Sequence, residues 1–291
     1  MIKLFTALLV VCMGSRAQAQ EAAPADFRLL ANAGGKTSAE MAVSIGKKFI
    51  GAPYVSHTLD TTPTEQLIVN VREFDCTTYL ETVLALTLAY QEEGSQANPV
   101  SFDATFRRYL TQLRYRDGRI NGYASRLHYF SDWLRNNERK GLVVDVTRDL
   151  PGSISVAKPV SYMTSFLYKY PPLRDPAIFQ QIAQAEAALS QQAFAFIPKK
   201  NIREAEAQLR EGDIVMLTAA RPGLDMKHVG LAVRQPNGRI HLLHASSEHG
   251  QVVITPYPLS DYVLCHRHLS GIRVARLRPD GQVGPAIVRG E

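Results

Sequence analysis

Apolar positions in the first half of the chain recur at helical spacing. In "TSAEMAVSIGKKFIG" (37–51), Met41, Ile45 and Phe49 share one face, and Thr37 with Glu40 forms a capping-box pattern at the start. "GAPYV" (51–55) ends the pattern, because Gly and Pro break it. A second helix is predicted from Thr77 to Glu92. Leu80, Val83, Leu84 and Leu88 give it an apolar face, and Asp75, Thr77 and Thr78 are candidate caps. Helical spacing continues over about 101–115 (Phe102, Phe106, Leu110, Leu113) and through "YASRLHYFSDWLRNN" (123–137; Tyr123, Leu127, Phe130, Leu134). Residues 141–175 read as irregular or weakly β, and Pro171-Pro172 marks a loop. A polar, Ala-rich helix is expected at about 176–191.

After Asn201 the period shortens. "DIVMLTA", "HVGLAVR" and "RIHLLHASS" are short, β-branched or alternating, and separated by turns such as "QPNG"; "QVVITPYPL" and "GIRVARLR" extend the run. Helices first and a meandering antiparallel sheet afterwards define an α+β chain. No internal repeat or low-complexity segment interrupts it.

Composition changes this picture in three ways. First, 291 residues, 45% of them hydrophobic, suffice for one large domain, and the mixed charge argues against disorder. Second, "MIKLFTALLVVCMGSRAQAQ" has the layout of a secretory signal: Lys3, a short apolar core from Leu4 to Met13, and the small-x-small Ala17-Gln18-Ala19. The core is too short to span a bilayer. Cleavage near Ala19-Gln20 places the mature protein in a periplasm or outside the cell. Residues 20–36 then form a flexible lead-in and 37–291 a single domain. Third, loss of Lys3 and Arg16 lowers the formal charge from +6 to +4. That excess suits an anionic substrate and falls short of the clustered basic footprint of a nucleic-acid binder.

Cleavage also removes Cys12, leaving Cys76 and Cys265. In an oxidising compartment a disulfide between them is one reading, and the chain would then be a non-catalytic periplasmic binding domain. The setting of Cys76 offers another. It stands where a helix begins, and the free N–H groups and dipole there favour a thiolate. A nucleophilic cysteine needs a base and an orienter. "MKHVGLAV" carries His228, "RIHLLHASS" carries His244, and "RQPNGR" between them makes a hairpin turn. With a three-residue loop of Pro236, Asn237 and Gly238, Gln235 faces Arg239, His228 faces Ser246, and His244 lies diagonally on the same side as His228. A two- or four-residue loop would separate the histidines. On one face, beneath the helix bearing the thiol, they complete a nucleophile–base–orienter relay.

"GAPYV", "DCTTYLE", "GDIVML", "HVGLAV" and "LLHASS" follow the order found in the NlpC-type cell-wall cysteine hydrolases, which are small papain-fold enzymes. The longer phrases "FDCTTYLETVLAL", "GYASRLHYFSDWL", "GLDMKHVGLAV" and "HLLHASS" resemble one branch, the N-acetylmuramoyl-L-alanine amidase-like family, catalogued as domain of unknown function 1460. The resemblance covers about 37–278. It implies a papain-like fold with a large helical insertion over about 92–200, and no cofactor or metal. It implies Cys76 as nucleophile, His228 as base and His244 as orienter. Tyr54 would line the site and help hold the oxyanion, and Asp225 would receive a substrate amine or hold a loop. Gly212 and Asp213 match a structural turn. The stretch 92–200 departs from the superfamily pattern, and on the residues Arg126, His128, Tyr129 and Trp133 either present a partly polar, aromatic surface on one helix or belong to an amphipathic helix half buried in the core, with Ser161 and Tyr162 as further cleft candidates. The implied reaction cleaves the amide between N-acetylmuramic acid, in 1,6-anhydro form, and L-alanine through a thioester. The implied partner is a muropeptide or peptidoglycan fragment.

Two enzymatic alternatives remain open on the residues. A D,L-endopeptidase would keep the nucleophile and cut the γ-D-glutamyl bond of the stem peptide. A zinc amidase would use Cys265, His266 and His268 of "CHRH" with His244, although the first three are crowded in one strand-like segment and neither H-E-x-x-H nor paired C-x-x-C spacing occurs.

Overall fold

Helices come first and strands second, with a mixed stretch between them. The computed structural model describes Phe27 and residues 34–278. The signal segment and most of the lead-in lie outside the described residues. Phe27, within that lead-in, is fully buried and packs its ring 4.8 Å from Phe106.

Helix α1 (Ser38–Lys48) starts at Thr37, whose hydroxyl accepts from Glu40 N–H; the Glu40 carboxylate reaches back to Lys36 N–H rather than to Thr37. Helix α2 (Cys76–Glu93) follows, then α3 (Pro99–Arg114), α4 (Phe130–Arg139), strands β1 (Val143–Asp145) and β2 (Ile154–Ala157), the short α5 (Tyr162–Ser165), α6 (Pro176–Ser190), β3 (Ala193–Pro198) and the short α7 (Ile202–Ala205). The final third is β4 (Ile214–Ala219), β5 (Met226–Arg234), β6 (Ile240–Ser246), β7 (Gln251–Ile254), α8 (Leu259–Cys265) and β8 (Leu269–Leu277).

The strands form one antiparallel sheet in the order β2-β3-β8-β4-β5-β6-β7, and β1 pairs alongside β8. Every residue of β4 is buried. Its Ile214 and Met216 join Leu80, Val83 and Leu84 of α2 and Phe102 and Phe106 of α3 in the main core. Its Val215 and Leu217 face the other way, into a second core with Ile202 of α7 and Leu259 and Val263 of α8. Because both faces are covered, this strand reads as a continuous apolar run rather than an alternating one. A third cluster, with Tyr129, Val160, Met163, Leu173 and Ile182, lies under α6.

Helix α2 is the centre of the helical layer. Its Glu81 is 1% exposed, accepts from Arg114 Nε of α3 at 2.7 Å and from Trp133 Nε1 of α4 at 3.2 Å. Arg114 Nη1 also donates to Ile68 O at 2.7 Å. One buried carboxylate thus ties three helices and a loop, the arrangement that makes a buried charge tolerable.

Three expectations change. The helix expected over 123–137 begins only at Phe130. Tyr123–Ser125 is a 3₁₀ turn and Arg126 is extended, bridging to Tyr115. Tertiary ion pairs of Arg126 with Asp60 (2.7 Å) and Glu65 (3.5 Å) outweigh the local helical spacing. The stretch over 92–200 is not a purely helical insertion, since β1, β2 and β3 extend the sheet beyond β8. These strands are short, and β2 is exposed throughout, so no alternation marks them. The segment ending in "CHRH", expected as strand-like, is helix α8 as far as Cys265.

Candidate active site

Cys76 is the first residue of α2. Asp75 caps the helix: its carboxylate accepts from Thr78 N–H at 2.8 Å, and Thr78 Oγ1 accepts from Asp75 N–H at 2.9 Å. This reciprocal box fixes the first turn and with it the direction of the thiol. Cys76 is half-buried. Burial pushes the thiol up to about 12 and the Asp75 charge adds to this, while hydrogen bonds from Thr77 and from the backbone of Val229 and of Cys76 oppose it. The thiol is therefore protonated in the unliganded site, although a helix N-terminus on its own favours the anion.

The hairpin takes the three-residue loop. Gln235 N–H donates to Arg239 O at 2.9 Å, and the ladder runs Arg234↔Ile240 to Leu231↔Leu243. Gly238 has φ +76°, the left-handed turn position that a glycine accepts without strain. Continued at period 2, this register sets both histidines on one side of the sheet. His228 Nε2 and His244 Nδ1 stand 2.5 Å apart, with ring centroids at 4.7 Å and planes at 84°. Gly230 makes the room: a Cβ there would lie 2.9 Å from the His244 Cβ and 2.7 Å from Leu243 O. Burial, then the charges of Lys227 and His266, hold His228 down to about 4. Burial, then His228, His249 and His266, hold His244 well below its ordinary value. Both rings are neutral at pH 7.

Alternation places the two imidazoles on the face of Leu217 and α8, whereas the body of α2 covers the other face. The groups meet at the sheet's end, where a cavity of about 400 Å³ is lined by Cys76, His228, Tyr54, Tyr262, Lys227 and Glu248, among others. Tyr54 is held by a bridge to Phe74, two residues before the thiol. Burial, then the charges of Cys76 and Asp75, raise it to about 12, so its hydroxyl stays a donor.

Tyr262 was not singled out in the sequence. It comes from α8, and its ring lies 5.8 Å from His244 and 4.3 Å from His266. Leu259, Tyr262, Val263 and His266 have the helical spacing that marks this segment, but nothing local places it against β6.

Several residues named from the sequence do not line the cavity. Arg126 is buried in its ion pairs, 4.9 Å from the Tyr123 ring. Tyr129 donates to Glu186 at 2.5 Å inside the third cluster. His128 does not share a helix with Trp133, and Trp133 is fully buried on Glu81. Ser161 precedes α5, and its N–H donates to Gly223 O at 2.9 Å. Asp225 is 1% exposed and accepts from Ser131 N–H at 2.7 Å and Met226 N–H at 2.6 Å. It caps α4, whose own Tyr129 provides no side-chain cap. Asp213 anchors the turn into β4 by accepting from Arg210 N–H and Arg276 Nε.

Cys76 and Cys265 are both free thiols, Cys265 exposed at the end of α8. Both ring nitrogens of His266 are engaged, Nδ1 with Tyr262 O at 2.6 Å and Nε2 with Glu248 at 3.3 Å. Among the described residues no three His, Cys, Asp or Glu side chains converge to hold a metal ion, so the donors of "CHRH" and His244 do not assemble a zinc site.

Fold and cavity together define an α+β protein with a thiol and a coupled imidazole pair at one end of an antiparallel sheet. Residues 44–271 match the AmiA-like family model, described as N-acetylmuramoyl-L-alanine amidase-like, and the chain belongs to that family. Among solved structures it is similar to an N-acetylmuramoyl-L-alanine amidase from Bacteroides uniformis, at 35% identity and TM-score 0.75 over 83% of this chain and 99% of that one. A Bacteroides fragilis protein named as a candidate xylanase shares 40% identity at TM-score 0.73, over 80% and 99%. A Legionella pneumophila protein of the domain of unknown function 1460 family shares the fold at 22% identity and TM-score 0.63, over 88% and 95%. No curated protein matches.

Proposed function

We propose that this protein is a cysteine-dependent amidase of bacterial cell-wall fragments. It hydrolyses the amide between the lactyl group of N-acetylmuramic acid, in 1,6-anhydro form, and L-alanine. One observation carries the chemistry: the half-buried thiol at the first position of a capped helix shares a cavity with His228, whose Nε2 is committed to His244 at 2.5 Å. Nδ1 of His228 is the nitrogen left to receive the thiol proton. The family and the similarity to a Bacteroides amidase support the bond and the substrate class.

The resting pair is neutral thiol and neutral imidazole. As Sγ of Cys76 attacks the carbonyl carbon, its proton passes to His228 Nδ1. Negative charge develops on the carbonyl oxygen, where the Tyr54 hydroxyl and the amides at the start of α2 donate to it. The imidazolium protonates the departing L-alanine nitrogen, leaving a thioester on Cys76. Neutral His228 then takes a proton from water, hydroxide attacks the thioester, and the free carboxylate and thiol are restored.

A glycosidase reading, prompted by the Bacteroides fragilis neighbour's name, lacks its chemistry. Glycoside hydrolysis generally uses two carboxylates across the bond, and among the described residues Glu248 is the one carboxylate on this cavity wall. The architecture is read as papain-like of the NlpC type, and the compartment as periplasmic or extracellular on the strength of residues 1–19.

Product masses from a defined 1,6-anhydro-muropeptide test the bond. Release of intact stem peptide supports the amidase. A fragment in which L-alanine and D-glutamate remain on the sugar identifies a D,L-endopeptidase instead.

A further inference from the structure

The third member of this relay is itself a histidine, which creates a requirement that a carboxylate would not. A carboxylate only accepts, so it draws the base's hydrogen onto the nitrogen facing it. A neutral imidazole can donate or accept. His228 can take a proton on Nδ1 only if its own hydrogen sits on Nε2. That hydrogen is donated to His244 Nδ1 across 2.5 Å, and His244 then carries its hydrogen on Nε2. The opposite pair of tautomers puts the hydrogen of His244 on Nδ1 and that of His228 on Nδ1, where it blocks the base. Both pairs have the same heavy-atom geometry, so another group must choose between them.

That group has to face His244 Nε2. The atom is buried without a hydrogen-bond partner, in a side chain with 0% exposure. Besides His228, the aromatic ring packed beside His244 is Tyr262, with centroids 5.8 Å apart and planes at 67°. Aromatic faces are electron-rich and accept N–H donors weakly, while they repel a lone pair. Tyr262 is held in place from two sides. α8 is anchored in the second core by Leu259 and Val263, and His266 packs on the tyrosine ring at 4.3 Å with its Nδ1 on Tyr262 O. The other titratable groups whose charge reaches His244 are His228 of β5, His249 ahead of β7 and His266 after α8. None of these supplies an acceptor to Nε2.

We propose that Tyr262 is a positioning residue: its ring receives the Nε2–H of His244 and so holds both histidines in the tautomers that leave His228 Nδ1 open to the thiol proton. The effect on rate rests on the cysteine amidase reading, whereas the tautomer is a property of the protein without substrate.

Two-bond proton–nitrogen correlation spectra of the full-length protein labelled with ¹⁵N-histidine, at pH 7, test it. The wild type is expected to show His244 as the Nε2–H tautomer. Tyr262→Leu is expected to show a mixture or the reverse, with kcat down at least tenfold and KM within threefold. Tyr262→Phe, which retains the ring, is expected to restore the Nε2–H tautomer and most of the lost kcat. A wild-type His244 protonated on Nδ1 overturns the proposal. So does a Tyr262→Leu protein with wild-type spectrum and kcat. If Tyr262→Leu does not fold, the wild-type spectrum and Tyr262→Phe still decide, because a reversed tautomer in Tyr262→Phe contradicts a role for the ring. An Nε2–H spectrum in a protein inactive on muropeptides supports the tautomer assignment and removes the amidase reading.

Discussion

At the scale of single residues, the site stores its reactivity as two neutral groups. On the proposed mechanism, protonation of His228, held down to about 4, stops the reaction on the acid side. Cys76 and Tyr54, both near 12, titrate far above neutrality. The account therefore expects kcat/KM to rise through pH about 4 and to stay level across pH 6–9. An alkaline limb in that range, the mark of a resting thiolate–imidazolium pair losing its imidazolium proton, would contradict it. The facing of His228 and His244 was legible in the sequence for a simple reason. A period of two and a loop of three residues decide which side chains share a face; "RQPNGR" marked the turn, and the register of the hairpin supplied its length. Tyr262 was not legible, because its contact with His244 joins a helix to a strand and no local pattern encodes it. Arg126 and Tyr129 misled for the same reason in reverse: their spacing looked like one helical face, but ion pairs with Asp60 and Glu65 and the hydrogen bond to Glu186 pull them into the interior.

At the scale of elements, caps decide where helices begin. α2 carries its own, and "FDCTTY" announced it. α4 takes its cap from Asp225, which lies 94 residues away from the Ser131 that it receives. That separation explains why the start of α4 was misplaced while that of α2 was not. Asp225→Ala leaves Ser131 N–H and Met226 N–H without their buried acceptor. A loss of about 1–3 kcal/mol in denaturant unfolding is expected. Unchanged stability would show that Asp225 does not serve as this cap. Strands β1 and β2 gave only a weak β signal within 141–175, because an exposed edge such as β2 has no buried face to impose alternation, and β3 was not foreseen.

At the scale of the whole molecule, one buried network joins the helical layer that aims Cys76 at the sheet. Glu81 holds Arg114 and Trp133, and Arg114 holds the loop at Ile68. Glu81→Ala strands a buried guanidinium, and a loss of about 3–5 kcal/mol is expected from equilibrium unfolding in urea. A loss under about 1 kcal/mol would mean that the network is not what unites the layer. The order of helices and strands, and hence the α+β class, was readable from periodicity alone. The layering of the sheet, with apolar cores on both faces, was not, because a strand buried on two sides loses the alternation that reveals a face.

The central claim is that the Cys76 thiol performs the bond cleavage. The direct measurement is the turnover of a 1,6-anhydro-muropeptide by wild-type and Cys76→Ala protein of matched folding, followed by mass spectrometry of the released sugar and peptide. The account predicts at least about a 10³-fold loss in kcat for Cys76→Ala. A Cys76→Ala protein that releases the same products at the wild-type rate would contradict it.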